Sequence, residues 1–153
     1  MNKKTILTAL LGSTLSFAAL ATQPAVDTNT PFVNEYLGDI AQNNPEIATS
    51  FANLIKDAPQ ETAWLNNYGT ASPGVLVTIN DTDYVAFSAC EPKNCPNSGY
   101  VAVLDPRTND FIKGAVRYES AENTTPHQTT VVWLKEYDAD FVPTIWQQFY
   151  LAN

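Results

Sequence analysis

Two cysteines, Cys90 and Cys95, enclose Glu91, Pro92, Lys93 and Asn94, and the chain contains no others. In an oxidising compartment two thiols without competitors pair with each other. A redox pair usually has two intervening residues rather than four, so the spacing points to a structural staple. Closing so small a ring removes only about 2 kcal/mol of unfolded-chain entropy, which makes global stability a weak reason for it. The local effect is larger. Ring closure and Pro92 together take backbone freedom from the tip that carries Lys93, which lowers the ordering cost of any contact the tip makes.

Other chemistry is sparse. His127 is the single histidine and sits in 119-ESAENTTPHQ-128 with no metal-ligand spacing around it. The common zinc sites need more His or Cys than the chain supplies. No P-loop, dinucleotide fingerprint, G-x-S-x-G or S-x-x-K is present. The carboxylate pairs Asp81/Asp83 and Asp138/Asp140 fall in turns, where aspartate is common for backbone reasons. A glycosidase-type pair would depend on a separation that only the fold sets. The residues therefore point to a protein with no catalytic residues, no metal and no cofactor.

Lys3 and Lys4 precede an apolar run over residues 6–17, and 18-AALAT-22 offers small residues at 19 and 21. That pattern predicts a secretory signal peptide cleaved after Ala21, with Thr22 in place of a lipid-anchoring cysteine. The run is shorter than the roughly 20 residues a membrane-spanning helix needs, and no later segment is apolar enough to span. The expected location is the periplasm. Removing residues 1–21 takes two of the eight basic residues and none of the sixteen acidic ones, deepening a formal charge of −8. Such a surface repels nucleic acid and favours a cationic partner.

Residues 22–30 lack periodicity and read as a flexible leader, leaving 31–153 as one domain, too short for two. Phe32, Val33, Tyr36, Leu37 and Ile40 recur at helical spacing. Asn44-Pro45 then stops that helix and caps a second one, with Ile47, Phe51, Leu54 and Ile55 on its apolar face. A short helical turn follows over residues 61–67. After Pro73-Gly74 the period becomes alternating: Val75, Val77 and Ile79, a tight 80-NDTD-83 turn, then 84-YVAFSA-89 predict a hairpin. Further strands are expected at 99-GYVAVL-104, 111-FIKGAVRY-118 and 128-QTTVVWLK-135, and a closing helix over 141–152. The expected fold is α+β, about five antiparallel strands with the N-terminal and C-terminal helices packed on one face.

The chain resembles the inhibitor of vertebrate lysozyme (Ivy) family, whose loop typically reads C-K-P-H-D/N-C where this one reads Cys90-Glu91-Pro92-Lys93-Asn94-Cys95. Ala63-Trp64-Leu65, Gly69, Pro73, the strand 84-YVAFSAC-90 and the strand over 100–105 carry the rest of the resemblance, which is most specific over residues 63–105. It implies an α+β inhibitor without catalytic activity. The disulfide-closed loop would enter the active-site cleft of a c-type lysozyme, and the residue at the histidine position would engage the two catalytic carboxylates. Such lysozymes are cationic, in keeping with the acidic surface.

Two of the six loop positions depart from the pattern. Lys93 replaces histidine and can still donate to two carboxylates, but it loses more side-chain entropy and is costly to desolvate. Glu91 adds a negative charge near the target's own. The expectation is weaker inhibition than with the usual loop, or a shifted target; a Lys93→His variant that binds less tightly than wild type would contradict it. Other peptidoglycan-cleaving glycosidases are alternative targets: a lytic transglycosylase of the same cell or a competitor's muramidase. A glycan-binding scaffold that uses aromatics such as Tyr68 or Tyr118 is a further alternative. The residues leave open whether the chain is a monomer or a homodimer, and whether Asp138, Asp140 and 105-DPRTND-110 form an acidic rim beside the loop.

Overall fold

The structure, a computed structural model, describes residues 29–119 and 128–151. The expected signal peptide, most of the leader and the segment with His127 lie outside the described residues.

Helix α1 spans Leu37–Asn43 and helix α2 spans Pro45–Ile55. The Asn44 side chain accepts hydrogen bonds from the backbone N–H groups of Glu46 and Ile47, at 3.2 and 3.4 Å, satisfying donors that the helix itself cannot. Phe32 and Val33, expected in the first helical turn, instead lie in a turn before α1. Phe32 and Asn34 have positive φ there, at 72° and 66°. The Asn34 N–H donates to the Gly74 carbonyl and the Gly74 N–H to the Glu35 carbonyl, both at 2.8 Å, so pairing with a distant segment fixes this entry. After α2 a 3-10 helix, Gln60–Asn67, ends at Tyr68, which is left-handed (φ 61°).

Among the described residues six antiparallel strands follow: β1 Thr70–Ala71, β2 Val75–Ile79, β3 Thr82–Cys90, β4 Gly99–Asp105, β5 Asp110–Glu119 and β6 Thr129–Trp133. The order across the sheet is β1-β3-β4-β5-β6, and β2 pairs with the first half of β3. The β2–β3 connection is a two-residue turn, Asn80-Asp81, with both residues left-handed (φ 50° and 58°), a conformation that Asn and Asp tolerate and hairpin twist favours. The sequence pattern missed β1, only two residues long, which pairs with the last two residues of β3.

The α+β class holds, but the helices do not share one face. Val85, Phe87, Ala89, Tyr100, Ala102 and Leu104 pack with α1, α2 and the 3-10 helix. Their neighbours Ala86, Val101, Val103 and Ala115 pack with Phe141, Ile145 and Phe149 of the C-terminal segment, where a short 3-10 turn, Ala139–Phe141, leads into α3, Val142–Leu151. The physical reason is visible in β4, every residue of which is buried. A strand buried on both sides needs cover on both sides, so α3 closes the face opposite α1 and α2. No helix among the described residues is long and apolar enough to cross a membrane.

Strand direction sorts the charged turns. The 90–99 connection joins the end of β3 to the start of β4, whereas the β2–β3 and β4–β5 turns lie at the other end of the sheet. Asp140 belongs to that other end, because its carboxylate accepts from Asn80 Nδ2 at 2.7 Å. The acidic turns therefore do not rim the cysteine loop.

Candidate functional site

Cys90 and Cys95 are disulfide-bonded, with Cα atoms 4.7 Å apart. Inside the ring the Asn94 N–H donates to the Glu91 carbonyl at 2.9 Å, closing a turn with Pro92 and Lys93 at its centre. Lys93 has φ +70°. Proline first and a positive φ second is the pattern of a type II turn, in which the second position favours glycine or asparagine. A lysine held there is under backbone strain of a kind that persists only where the surroundings enforce it. The Asn97 and Ser98 N–H groups both donate to the Asn94 carbonyl at 3.0 Å, and the Glu91 N–H donates to Ser98 O at 3.0 Å. The loop is thus two consecutive turns closed across their base.

The Glu91 side chain accepts from Asn94 Nδ2 at 2.8 Å, so the carboxylate whose direction the sequence left open is engaged within the ring. From β5, Arg117 Nη2 donates to the Pro96 carbonyl at 3.0 Å. Arg117 stands opposite Gly99 in the strand register and braces the second turn. Sequence reading missed it, and its only signal was being one of few cations in a strand whose register was unknown.

Beneath the loop lies an aromatic foundation. Tyr100, fully buried one residue into β4, packs its ring 5.9 Å from Trp64 and 5.5 Å from Phe51. Its hydroxyl donates to the Tyr68 carbonyl at 3.2 Å. Burial, and then the nearby Tyr68, push the Tyr100 hydroxyl well above its ordinary pKa, so it remains a donor. Gly69 (φ +65°) sits between Trp64 and the end of β3, so close that a Cβ there would lie 2.6 Å from the Cys90 carbonyl oxygen. The Trp64 and Gly69 positions therefore have a joint physical purpose in seating the strand end that carries the loop. Tyr68 and Tyr118 are half-buried rather than exposed, and the Tyr68 ring packs 5.2 Å from Phe51, which makes Tyr68 part of this foundation instead of an open stacking platform.

Charge pairing singles out the tip. Lys56, Arg107, Lys113 and Lys135 form ion pairs with Asp57, Asp105, Asp138 and Asp110, and Arg117 is held as described. Among the described residues, Lys93 is the only lysine or arginine whose side chain has no hydrogen bond or ion pair, and it is exposed. The four predicted tip residues are thus brought together with unequal roles: Glu91 and Asn94 face each other, Pro92 shapes the turn, and Lys93 is available.

The loop is closed by a disulfide and by turn hydrogen bonds, and it presents one unpaired cation above a buried aromatic foundation. The profile of the inhibitor of vertebrate lysozyme (Ivy) family matches residues 46–144, which include α2 from its second residue, the loop and the whole sheet. The chain belongs to this family, whose members inhibit lysozyme and are periplasmic or secreted proteins rather than enzymes. No curated protein matches the chain.

Proposed function

We propose that the protein is a periplasmic inhibitor of c-type lysozyme, exported with cleavage after Ala21, whose loop over residues 90–95 enters the enzyme's cleft and sets the Lys93 ammonium against the catalytic carboxylates. The observation that carries this reading is the unpaired Lys93 at the centre of a doubly closed turn. Lysozyme hydrolysis needs one carboxyl as acid and another as nucleophile or stabiliser. An ammonium has three donors and can engage both, excluding substrate and occupying the groups that act on it. Burying the charge is costly, and ordering a lysine loses rotamer entropy. Ring closure and the turn hydrogen bonds offset part of this, since the backbone is ordered before the enzyme arrives. The acidic surface as a whole speeds encounter with a cationic enzyme.

The test is titration calorimetry of the oxidised residues 22–153 into a c-type lysozyme, with the cleft empty and then filled by a chitin oligosaccharide. Binding that disappears when the cleft is filled is the expected result. Equal binding in both states would place the contact outside the cleft and end this reading.

A further inference from the structure

We propose that Asn94 and Glu91 form a positioning clasp that keeps the Glu91 carboxylate off Lys93 and away from the target, an inference that rests on reading the 90–95 loop as the inhibitory plug. Glu91 and Lys93 are two residues apart in one small ring, and opposite charges so close would ordinarily pair. They do not. Glu91 Oε2 accepts from Asn94 Nδ2 at 2.8 Å, and Lys93 has no partner among the described residues.

The clasp spans the two ends of the turn whose backbone is closed by the Asn94 N–H on the Glu91 carbonyl at 2.9 Å. Backbone and side chain thus hold residues 91 and 94 together twice, with the left-handed Lys93 between them. Asn94 suits the task because its amide donates without carrying charge. It holds the carboxylate in place and offers Lys93 no competing anion. A freed Glu91 would harm the plug in two ways. It could neutralise the one cation the tip offers, and it could set a negative charge against the carboxylates the tip must approach, a like-charge contact that interfaces penalise heavily.

Three variants separate this from ordinary turn stabilisation. Asn94→Asp keeps the shape but opposes two carboxylates, and it should weaken lysozyme inhibition about tenfold. The double variant Glu91→Gln/Asn94→Asp exchanges donor and acceptor, rebuilds the hydrogen bond and keeps the net charge. It should return inhibition to within about threefold of wild type, as restoring one part-buried hydrogen bond allows. Glu91→Gln alone keeps an amide acceptor for Asn94 and should inhibit at least as well as wild type. Weaker inhibition by Glu91→Gln than by wild type would overturn the clasp, because the carboxylate itself would then serve the plug.

A second readout needs no lysozyme: the acylation rate of Lys93 by an amine-reactive ester, followed by peptide mass spectrometry with Lys56 as an internal reference. Asn94→Asp should slow Lys93 labelling about two- to fivefold, the range an exposed ion pair supports, and the double variant should restore it. Unchanged labelling in Asn94→Asp, or a double variant no better than Asn94→Asp, would overturn the clasp. Labelling decides the clasp by itself, so a wild type that labels as expected but fails to inhibit overturns the plug reading and not the clasp.

Discussion

Replacing Gly69 with alanine should destabilise the domain by about 2–4 kcal/mol and loosen the 90–95 loop with it. Gly69 has φ +65°, and a Cβ there would sit 2.6 Å from the Cys90 carbonyl oxygen and 2.6 Å from Trp64 Cζ3. The left-handed backbone alone costs an L-residue about 1 kcal/mol. Neither obstacle gives way easily. Cys90 is paired with Thr70 on one side and Gly99 on the other and is tied by the disulfide, while Trp64 packs on the buried Tyr100. Forcing a methyl group into such a contact adds about 1–3 kcal/mol. In urea, with a slope of about 1.5 kcal/mol/M, the unfolding midpoint should fall by about 1.3–2.7 M. Inhibition should weaken at urea-free conditions where the protein is still folded, because the displaced atom belongs to the loop's own anchor. A midpoint shift below about 0.5 M, with full inhibition retained, would show that the foundation is soft and that Gly69 does not seat the loop.

Further consequences are separable. Cys90→Ser/Cys95→Ser should lower unfolding free energy by only about 2 kcal/mol yet weaken inhibition more than about tenfold; a folded variant that inhibits like wild type would remove the case for a preorganised tip. Asn44→Ala should cost about 1 kcal/mol in urea unfolding and leave inhibition unchanged, since the cap lies at the start of α2 and not at the loop. Hydrogen bonding to Arg107 holds the Asp105 carboxyl below its ordinary range. Its folded pKa is thus lower than its unfolded one, so the stabilisation is fully present above about pH 4 and is lost as pH falls through the folded value. The stability gap between wild type and Asp105→Asn, measured by urea unfolding across pH, should therefore narrow on acidification; a gap that widens would reverse the sign of this assignment.

Local chemistry was the legible part of the sequence. Asn44-Pro45 announces a capped helix, 80-NDTD-83 a hairpin turn, which the structure shortens to Asn80-Asp81 because Thr82 and Asp83 already belong to β3, and Cys90 with Cys95 a closed ring, because each effect acts within a few residues. Placing the helices on one face failed for a nonlocal reason. The unbroken apolar run of β4 signals burial on both sides, but does not say which helix covers which face. Strand β1 was invisible because two residues carry no period. Arg117 and the inward-turned Glu91 depended on register and on side-chain pairing across the loop, neither of which the linear pattern encodes. The same holds for the acidic turns, whose place at the far end of the sheet follows only from strand direction. The residues left the direction of Glu91 open; in the structure its carboxylate accepts from Asn94, three positions on.

The most direct test of the loop as a plug is a cell-wall lysis assay. Oxidised residues 22–153 and the Lys93→Ala variant are titrated against a c-type lysozyme under identical conditions. Inhibition by the wild type, weakened at least about tenfold in Lys93→Ala as for a central interface contact, is the expected result. Equal inhibition by the two proteins, or none by a folded wild type, would contradict the role assigned to Lys93.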